Sequence, residues 1–182
     1  MNFLIPVYVP LLHIIFLYLT LRVASKDRLG LKDLVAYKPE NLKVDVLIAI
    51  LLTVIMTPTL YFLFKVLYGT YGFFINMFFY MTPPWYTAAL VIVAFTAGIS
   101  EEVIWRGYGI TAVESLTKTH SSLKAIILTS VAFAVWHVRL PHLPATFLFG
   151  LVYAYIYTKR RSLVPLIASH TAIDLIFAFV PY

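Results

Sequence analysis

The sequence contains no cysteine and few charged residues. Without cysteine the chain cannot form disulfide bonds, use a thiol nucleophile, or hold zinc or an iron–sulfur cluster through thiolates. Only 12% of its 182 residues are charged, whereas 62% are hydrophobic. An ordinary soluble domain is about 25% charged. The composition, with a mean hydropathy of +0.89, excludes a soluble globular domain and a disordered chain, and it indicates a protein embedded in lipid.

Acidic residues are the scarcer of the two charged classes. The chain has 8 Asp and Glu against 14 Lys and Arg, which gives a net charge of +6. Most of the basic residues lie in short segments between apolar runs, a pattern typical of residues that set membrane topology and contact anionic lipid. We therefore expect the lipid bilayer, and not nucleic acid, to be the partner of these charges.

Six apolar runs approach or reach the length of about 20 residues that a helix needs to cross a hydrocarbon core of about 30 Å. We predict an all-α, polytopic integral membrane helix bundle of about six transmembrane helices, formed as a single transmembrane domain over residues 1–182. The predicted spans are approximately 2–23, 44–68, 85–108, 123–138, 144–158 and 163–180.

Three of the segments between the predicted spans are basic, namely 22–43, 109–124 and 159–161. With six spans, all three lie on the same side of the membrane. The positive-inside rule then predicts that the basic connections are cytoplasmic and that both termini lie outside. We expect an integral protein of a prokaryotic plasma membrane.

The connections differ in composition. Segment 24–43 places leucines among charged residues and predicts a short interfacial helix, whereas segment 69–84 is rich in Phe, Tyr and Met and is expected to lie in the outer interface. Turn 139–144 contains two prolines and joins two short spans. Because irregular backbone at membrane depth must be surrounded by protein or water, we expect this turn to lie partly inside the protein and to line a cavity.

The third span contains ionisable residues, each of which costs about 2.5–3.5 kcal/mol near the bilayer centre. Glu102 and Arg106 are separated by four residues, so they lie on one helical face and can form an ion pair. Glu101 points elsewhere and has no cation near it in the sequence, which makes it a candidate general base. The alternative is a structural ion pair beside a carboxylate that snorkels to the interface.

Two further spans contain ionisable residues. His170 and Asp174 are four residues apart in the sixth span, where the carboxyl could orient the imidazole or help to bind a metal. His137 ends the fourth span. The alternatives are a hydrogen bond between packed helices for the first pair and a satisfied interfacial histidine for His137. The other histidines, interpreted as structural or interfacial, are His13, His120 and His142.

Three motifs follow one another in the chain: Glu101-Glu102-x-x-x-Arg106, Phe133-x-x-x-His137 and His170-x-x-x-Asp174. Their order and their placement on apolar spans resemble the CPBP, or Abi, family of type II CAAX prenyl proteases and bacteriocin-processing proteases. The region that contains the motifs covers about residues 85–180.

The resemblance implies an intramembrane endopeptidase that acts near the C-terminus of a membrane-associated protein or peptide, for which a prenylated tail is one option. Glu101 is then expected to activate water with the help of His137, and His170 and Asp174 are expected to line the position of the oxyanion. The residues expected to support the site are Glu102, Arg106 and Phe133.

Position 174 is often Asn in this family, and Asn can donate a hydrogen bond to an oxyanion where an ionised Asp cannot. Asp174 is therefore expected to be protonated, to orient His170, or to favour a metal. The sequence lacks the H-E-x-x-H zinc signature, so we favour a mechanism without a metal or other cofactor. The alternatives are a zinc protease with Glu101, His137 and His170 as ligands, a non-catalytic scaffold or immunity protein, and a small proton-coupled transporter.

Overall fold

The computed structural model describes residues 5–69, 84–117, 122–137 and 142–179, and the regular structure within these ranges is entirely helical. The long helices are α1 (Ile5–Ala24), α3 (Leu42–Gly69), α4 (Pro84–Glu101), α6 (Ser122–Trp136), α7 (Leu143–Arg160) and α8 (Val164–Phe179). Between them lie the short helices α2 (Leu31–Val35) and α5 (Thr111–Leu116) and the 3-10 turns Ser25–Asp27 and Pro39–Asn41.

The fold is the predicted helical membrane bundle. Three stretches are long and apolar enough to cross a membrane, namely Tyr8–Asp27, Leu31–Leu67 and Ala88–Leu116, and α6 and α8 are shorter apolar helices. Each of the six predicted spans corresponds to one long helix, and most helix ends fall within a few residues of the prediction. The number of helices that cross the bilayer stays a prediction.

Helix α3 shows how the bundle separates its core from its lipid-facing surface. Leu52, Met56, Leu60 and Phe64 recur every four residues and are buried, so they form one stripe along the helix. Large apolar side chains between them are exposed, including Val54 at 64%. Large exposed apolar surfaces mark sites that contact a membrane or another protein, which agrees with the membrane class.

Close helix packing brings the charged residues of α4 and α8 together. Gly98 on α4 lies against Thr171 on α8, where an added Cβ would overlap the threonine hydroxyl and lie 3.0 Å from its backbone nitrogen. Glycine is therefore required for these two helices to approach at this level. The approach places the end of α4, at Glu101, beside His170.

The predicted span 85–108 is helical throughout, but helix α4 does not continue as a regular α-helix. From Glu102 to Ile110 the backbone forms a π-helix, which then returns to α-helical geometry in α5. The segment contains Gly107 and Gly109, and glycine weakens the preference for the α-helix. Wide turns of this type are rare and frequently occur at functional sites.

The short helix predicted for segment 24–43 is present as α2, and its position at the membrane interface stays a prediction. Its Leu34 is 2% exposed, and the carbonyl of Val35 accepts a hydrogen bond of 3.0 Å from the backbone N–H of Leu163. Segment 70–83, which contains nearly all of the predicted interfacial connection, and residues 138–141 of the predicted buried turn lie outside the described residues.

Candidate active site

Ionisable side chains from α1, the end of α4, the π-helix, the end of α6 and α8 meet inside the bundle. We call this group the polar centre. Its members are His13, Glu101, Glu102, Arg106, His137, His170 and Asp174. All of the residues that the sequence suggested as catalytic belong to it, and so does one histidine that the sequence analysis had set aside.

Glu101 lies at the last position of α4 and is 6% exposed. Its Oε1 lies 3.3 Å from His13 Nε2, and its Oε2 lies 3.8 Å from His170 Nε2. The sequence analysis expected no cation near Glu101, and this is correct for the residues next to it in the chain. Its partners are titratable imidazoles from two other helices, and no arginine or lysine is paired with it among the described residues.

Glu102 and Arg106 form the predicted ion pair, with 3.0 Å between Oε1 and Nη1, and both side chains are fully buried. The same Oε1 lies 2.7 Å from His170 Nδ1. Because a carboxylate oxygen can only accept, Nδ1–H of the imidazole donates this hydrogen bond. Glu102 therefore orients His170 as well as neutralising Arg106, a role that sequence spacing did not reveal.

The second ring nitrogen of His170 faces the other two carboxyl groups. His170 Nε2 lies 3.8 Å from Glu101 Oε2 and 3.6 Å from Asp174 Oδ2. The four-residue spacing does place Asp174 on the same face as His170, but 3.6 Å is too long for a hydrogen bond. In this structure Glu102, and not Asp174, makes the bond that fixes the imidazole.

His137 lines the larger cavity, and one nitrogen of its ring is held by the backbone. Its Nδ1 lies 2.8 Å from the carbonyl oxygen of Phe133, which can only accept, so Nδ1 carries the hydrogen and Nε2 keeps its lone pair in the neutral ring. The ring packs edge-on against Phe133 with centroids 4.7 Å apart.

The length of α6 explains how a histidine at a helix end can reach a site in the middle of another helix. The 15 residues of α6 rise about 22 Å, which is less than the hydrocarbon core of about 30 Å. The end of α6 at His137 therefore lines the same cavity as His170, which lies near the middle of α8. The sequence analysis had expected turn 139–144, which follows His137, to line a cavity.

A cavity of about 210 Å³ opens beside these groups. His137, His170 and Asp174 line it, together with His142 at the start of α7, as expected for the predicted turn. The remaining lining residues are Leu60, Phe64, Phe133, Ala145, Thr146, Phe149, Ile173 and Phe177. The cavity can hold water and a small part of a peptide within apolar walls.

A smaller cavity of about 100 Å³ lies on another side of Glu101. Its walls are mostly apolar and aromatic, and Glu101 and His13 are the ionisable residues in it. The other lining residues are Phe16, Thr20, Ile104, Trp105 and Trp136. Glu101 thus lies between this cavity and His170, which lines the larger one.

Aromatic rings enclose the buried guanidinium of Arg106. Its Cζ lies 4.3 Å above the ring of Phe133 and 5.6 Å from the rings of Phe149 and Tyr153. Such contacts stabilise a cation that is withdrawn from water. Phe133 therefore lies between Arg106 and His137 and contacts both, and its supporting role stays a prediction.

The described residues include no group of three or more His, Asp and Glu side chains placed to hold a metal ion. His170 uses Nδ1 to bond Glu102, and its Nε2 is 3.8 Å from Glu101. The alternative ligand set of Glu101, His137 and His170 therefore finds no support in this geometry, and a mechanism without metal stays a proposal.

The fold and the site together define a polytopic membrane protein with a buried centre of glutamate and histidine. Residues 83–176, just over half of the chain, match the family of type II CAAX prenyl endopeptidase Rce1-like proteins. The chain belongs to this family, as the three motifs had indicated. No curated protein and no solved structure matches the chain.

The family match begins after α3 and therefore leaves out α1 and His13. Sequence analysis named His13 but interpreted it as structural or interfacial. The signal that could have identified it was the presence of an ionisable side chain within an apolar span, which is by default a candidate functional residue.

Proposed function

We propose that this protein is an intramembrane endopeptidase that hydrolyses a peptide bond near the C-terminus of a membrane-associated substrate. The observation that carries the proposal is the environment of Glu101. Its carboxylate is buried, has no arginine or lysine partner in the described structure, and lies next to the histidines at two cavities. Family membership supports a protease, and the arrangement of the polar centre supports water as the nucleophile.

In the proposed reaction, Glu101 removes a proton from a water molecule while His137 Nε2 accepts the second hydrogen bond of that water. The water oxygen forms a bond to the scissile carbonyl carbon, and the negative charge moves to the carbonyl oxygen. Glu101 then gives the proton to the leaving nitrogen as the C–N bond breaks. The products are a carboxylic acid and a free amine.

His170 and Asp174 are assigned to the oxyanion. Because His170 Nδ1–H is bonded to Glu102, His170 can donate to an oxyanion through Nε2 only when both of its nitrogens are protonated. Glu102 accepts from one end of that imidazolium and leaves the other end directed toward the cavity. Preorganised donors of this kind supply a large part of catalysis in acyl transfer.

A prenylated C-a-a-X tail is the first substrate to test, because its lipid would hold the peptide at the membrane. We also propose a prokaryotic plasma membrane as the location of the protein. The distribution of Lys and Arg supports an orientation with both termini outside and the basic connections in the cytoplasm. The scissile bond would then enter near the cytoplasmic side.

The test is the release of a tripeptide from a farnesylated C-a-a-X peptide by the purified protein in lipid vesicles. Glu101→Gln removes the base and should abolish release. Glu114→Gln, which changes a carboxylate that pairs with Arg161 outside the polar centre, is the matched control and should cleave as the wild type does. Equal release by wild type and Glu101→Gln would contradict the proposal.

The same assay tests the zinc alternative. Incubation with a chelator should leave the rate unchanged when Glu101 and His137 alone activate the water. A rate that falls with the chelator and returns with added zinc would overturn the metal-independent mechanism.

A further inference from the structure

His13 is the member of the polar centre that lies outside the region matched to the family. It lies on α1, is 8% exposed, and connects two residues of α4. His13 Nε2 lies 3.3 Å from Glu101 Oε1, and His13 Nδ1 lies 3.2 Å from Thr96 Oγ1.

The direction of the first contact follows from the chemistry assigned to Glu101. A general base is ionised before it accepts a proton, and an ionised carboxylate can only accept hydrogen bonds. His13 must therefore present Nε2–H to Glu101 Oε1. On the other side of the ring, His13 Nδ1 contacts Thr96 Oγ1. That hydroxyl is itself held by the backbone of α4, because it lies 3.0 Å from the carbonyl oxygen of Ile92.

We infer that His13 is a positioning residue for the catalytic base, an assignment that rests on the proposed function. The terminal torsion of a glutamate side chain has a broad, shallow energy profile, so an unsupported carboxylate in a cavity can rotate. The bond from His13 holds Oε1 and leaves Oε2 directed toward His170, beside the larger cavity. Water and substrate then meet one defined oxygen of Glu101.

Packing alone does not explain a histidine at this position. Leu17 lies on the same face of α1, one helical turn further along, and packs against the core. An apolar side chain can therefore fill this face of the helix. A polar ring inside an apolar span costs free energy unless it is hydrogen-bonded. The contacts with Glu101 and Thr96 meet that requirement, and one of them is made with the catalytic base.

The decisive variants are His13→Leu, which removes both ring nitrogens, and His13→Gln, which keeps an N–H donor but cannot be charged. For cleavage of the farnesylated peptide, His13→Leu should lower kcat about ten- to a hundredfold while KM changes little, as is usual when a residue that orients an active group is lost. His13→Gln should keep kcat within about threefold of the wild type. A merely structural role would lower Tm in His13→Leu and leave the kcat of the folded fraction unchanged.

The matched packing control is Leu17→Ala, which truncates the same face of α1 without touching Glu101. It should lower Tm and leave kcat unchanged. A wild-type kcat in His13→Leu, or a kcat in His13→Gln as low as in His13→Leu, would overturn the assignment.

A second measurement does not depend on turnover. The protein has 5 histidines, so the resonances of ring ¹⁵N-labelled His13 can be assigned by their loss in His13→Gln. The signal of Nε2 should report a bonded N–H in the wild type and should shift in Glu101→Gln. No shift would overturn the inference even if the peptide is cleaved. If the signal shifts but the wild type does not cleave the peptide, the contact between His13 and Glu101 is confirmed and the proposed function is rejected.

Discussion

Two regions of the bundle contain buried carboxylates, and the partners of these carboxylates differ. At the end where α3 begins and α7 ends, Asp45 is completely buried, with Oδ1 2.8 Å from Arg160 Nη2 and Oδ2 3.1 Å from Ser162 Oγ. We call this group the Asp45 clamp. Each oxygen of Asp45 has its own donor, and Asp45 lines neither of the two cavities described above.

In the polar centre, Glu101 is nearly as buried, but both of its contacts are with histidines and it borders a cavity. Arginine stays charged at all physiological pH values, whereas histidine can gain or lose a proton. Burial and charge alone therefore do not distinguish a functional carboxylate from a structural one. We expect the type of hydrogen-bond donor and the access to a cavity to distinguish them. The predictions below test that distinction.

The largest expected effect is the loss of catalysis in Glu101→Gln. The substitution keeps the size of the side chain and removes the base, so kcat should fall about a thousandfold, which corresponds to about 4 kcal/mol of lost transition-state stabilisation. Because it also removes a buried charge that has only histidine partners, Tm should stay the same or rise. Cleavage assays and thermal unfolding of the same preparation measure both quantities, and a large fall in Tm would place Glu101 with the structural carboxylates.

The second largest effect is expected for Arg106→Gln, which leaves Glu102 buried beside His170 without its cation. Removing one partner of a buried pair typically costs about 3–5 kcal/mol of unfolding free energy. The matched control is Arg161→Gln, since the Arg161 side chain is 48% exposed where it pairs with Glu114 at 2.7 Å. An exposed pair of this kind contributes about 1 kcal/mol or less. Equal destabilisation by the two variants would show that Arg106 has no special structural role.

Helix placement and the Glu102–Arg106 pair could be predicted from the sequence because both depend on neighbours in the chain. Long apolar runs fix where the spans lie, and a four-residue spacing fixes which side chains share a face. The prolines and the short flanking spans likewise indicated that turn 139–144 lines a cavity, as its His142 does. These parts of the site required no knowledge of how the helices pack.

The remaining contacts depend on packing between helices distant in the sequence. Glu102 reaches His170 because Gly98 permits α4 and α8 to approach closely. His13 reaches Glu101 because α1 packs on α4. No local pattern specifies which spans become neighbours, and the π-helix after Glu101 has no signature in apolar periodicity, so these features appeared only in the structure.

For the Asp45 clamp we expect the opposite of the result for Glu101→Gln, namely a loss of stability without a loss of catalysis. Asp45→Asn removes the charge that holds Arg160 and Ser162 but leaves an amide of the same shape. Because the Arg160 side chain is 28% exposed and can turn toward water, the loss of unfolding free energy should be about 1–2 kcal/mol. The kcat of the folded fraction should equal that of the wild type. A fall in kcat like that of Glu101→Gln would contradict the distinction between the two regions.

The smallest effect is expected for Asp174→Asn. Asp174 lies at the larger cavity, its side chain is 33% exposed, and its Oδ2 is 3.6 Å from His170 Nε2, so it makes no hydrogen bond to His170 that Asn would break. An amide can also donate to an oxyanion, and kcat should stay within about threefold of the wild type. Asp174→Leu, which has no donor, should lower kcat about a hundredfold, as is typical for the loss of one oxyanion donor.

Together these two variants determine how Asp174 acts. Full activity in Asp174→Asn with low activity in Asp174→Leu means that position 174 supplies a donor, and that Asp174 serves in its protonated form. Low activity in both variants means that the carboxylate itself is needed, which would make Asp174 a partner of the His170 imidazolium and leave His170 as the donor to the oxyanion. Wild-type activity in both would remove Asp174 from the site and restrict the chemistry to Glu101, His137 and His170.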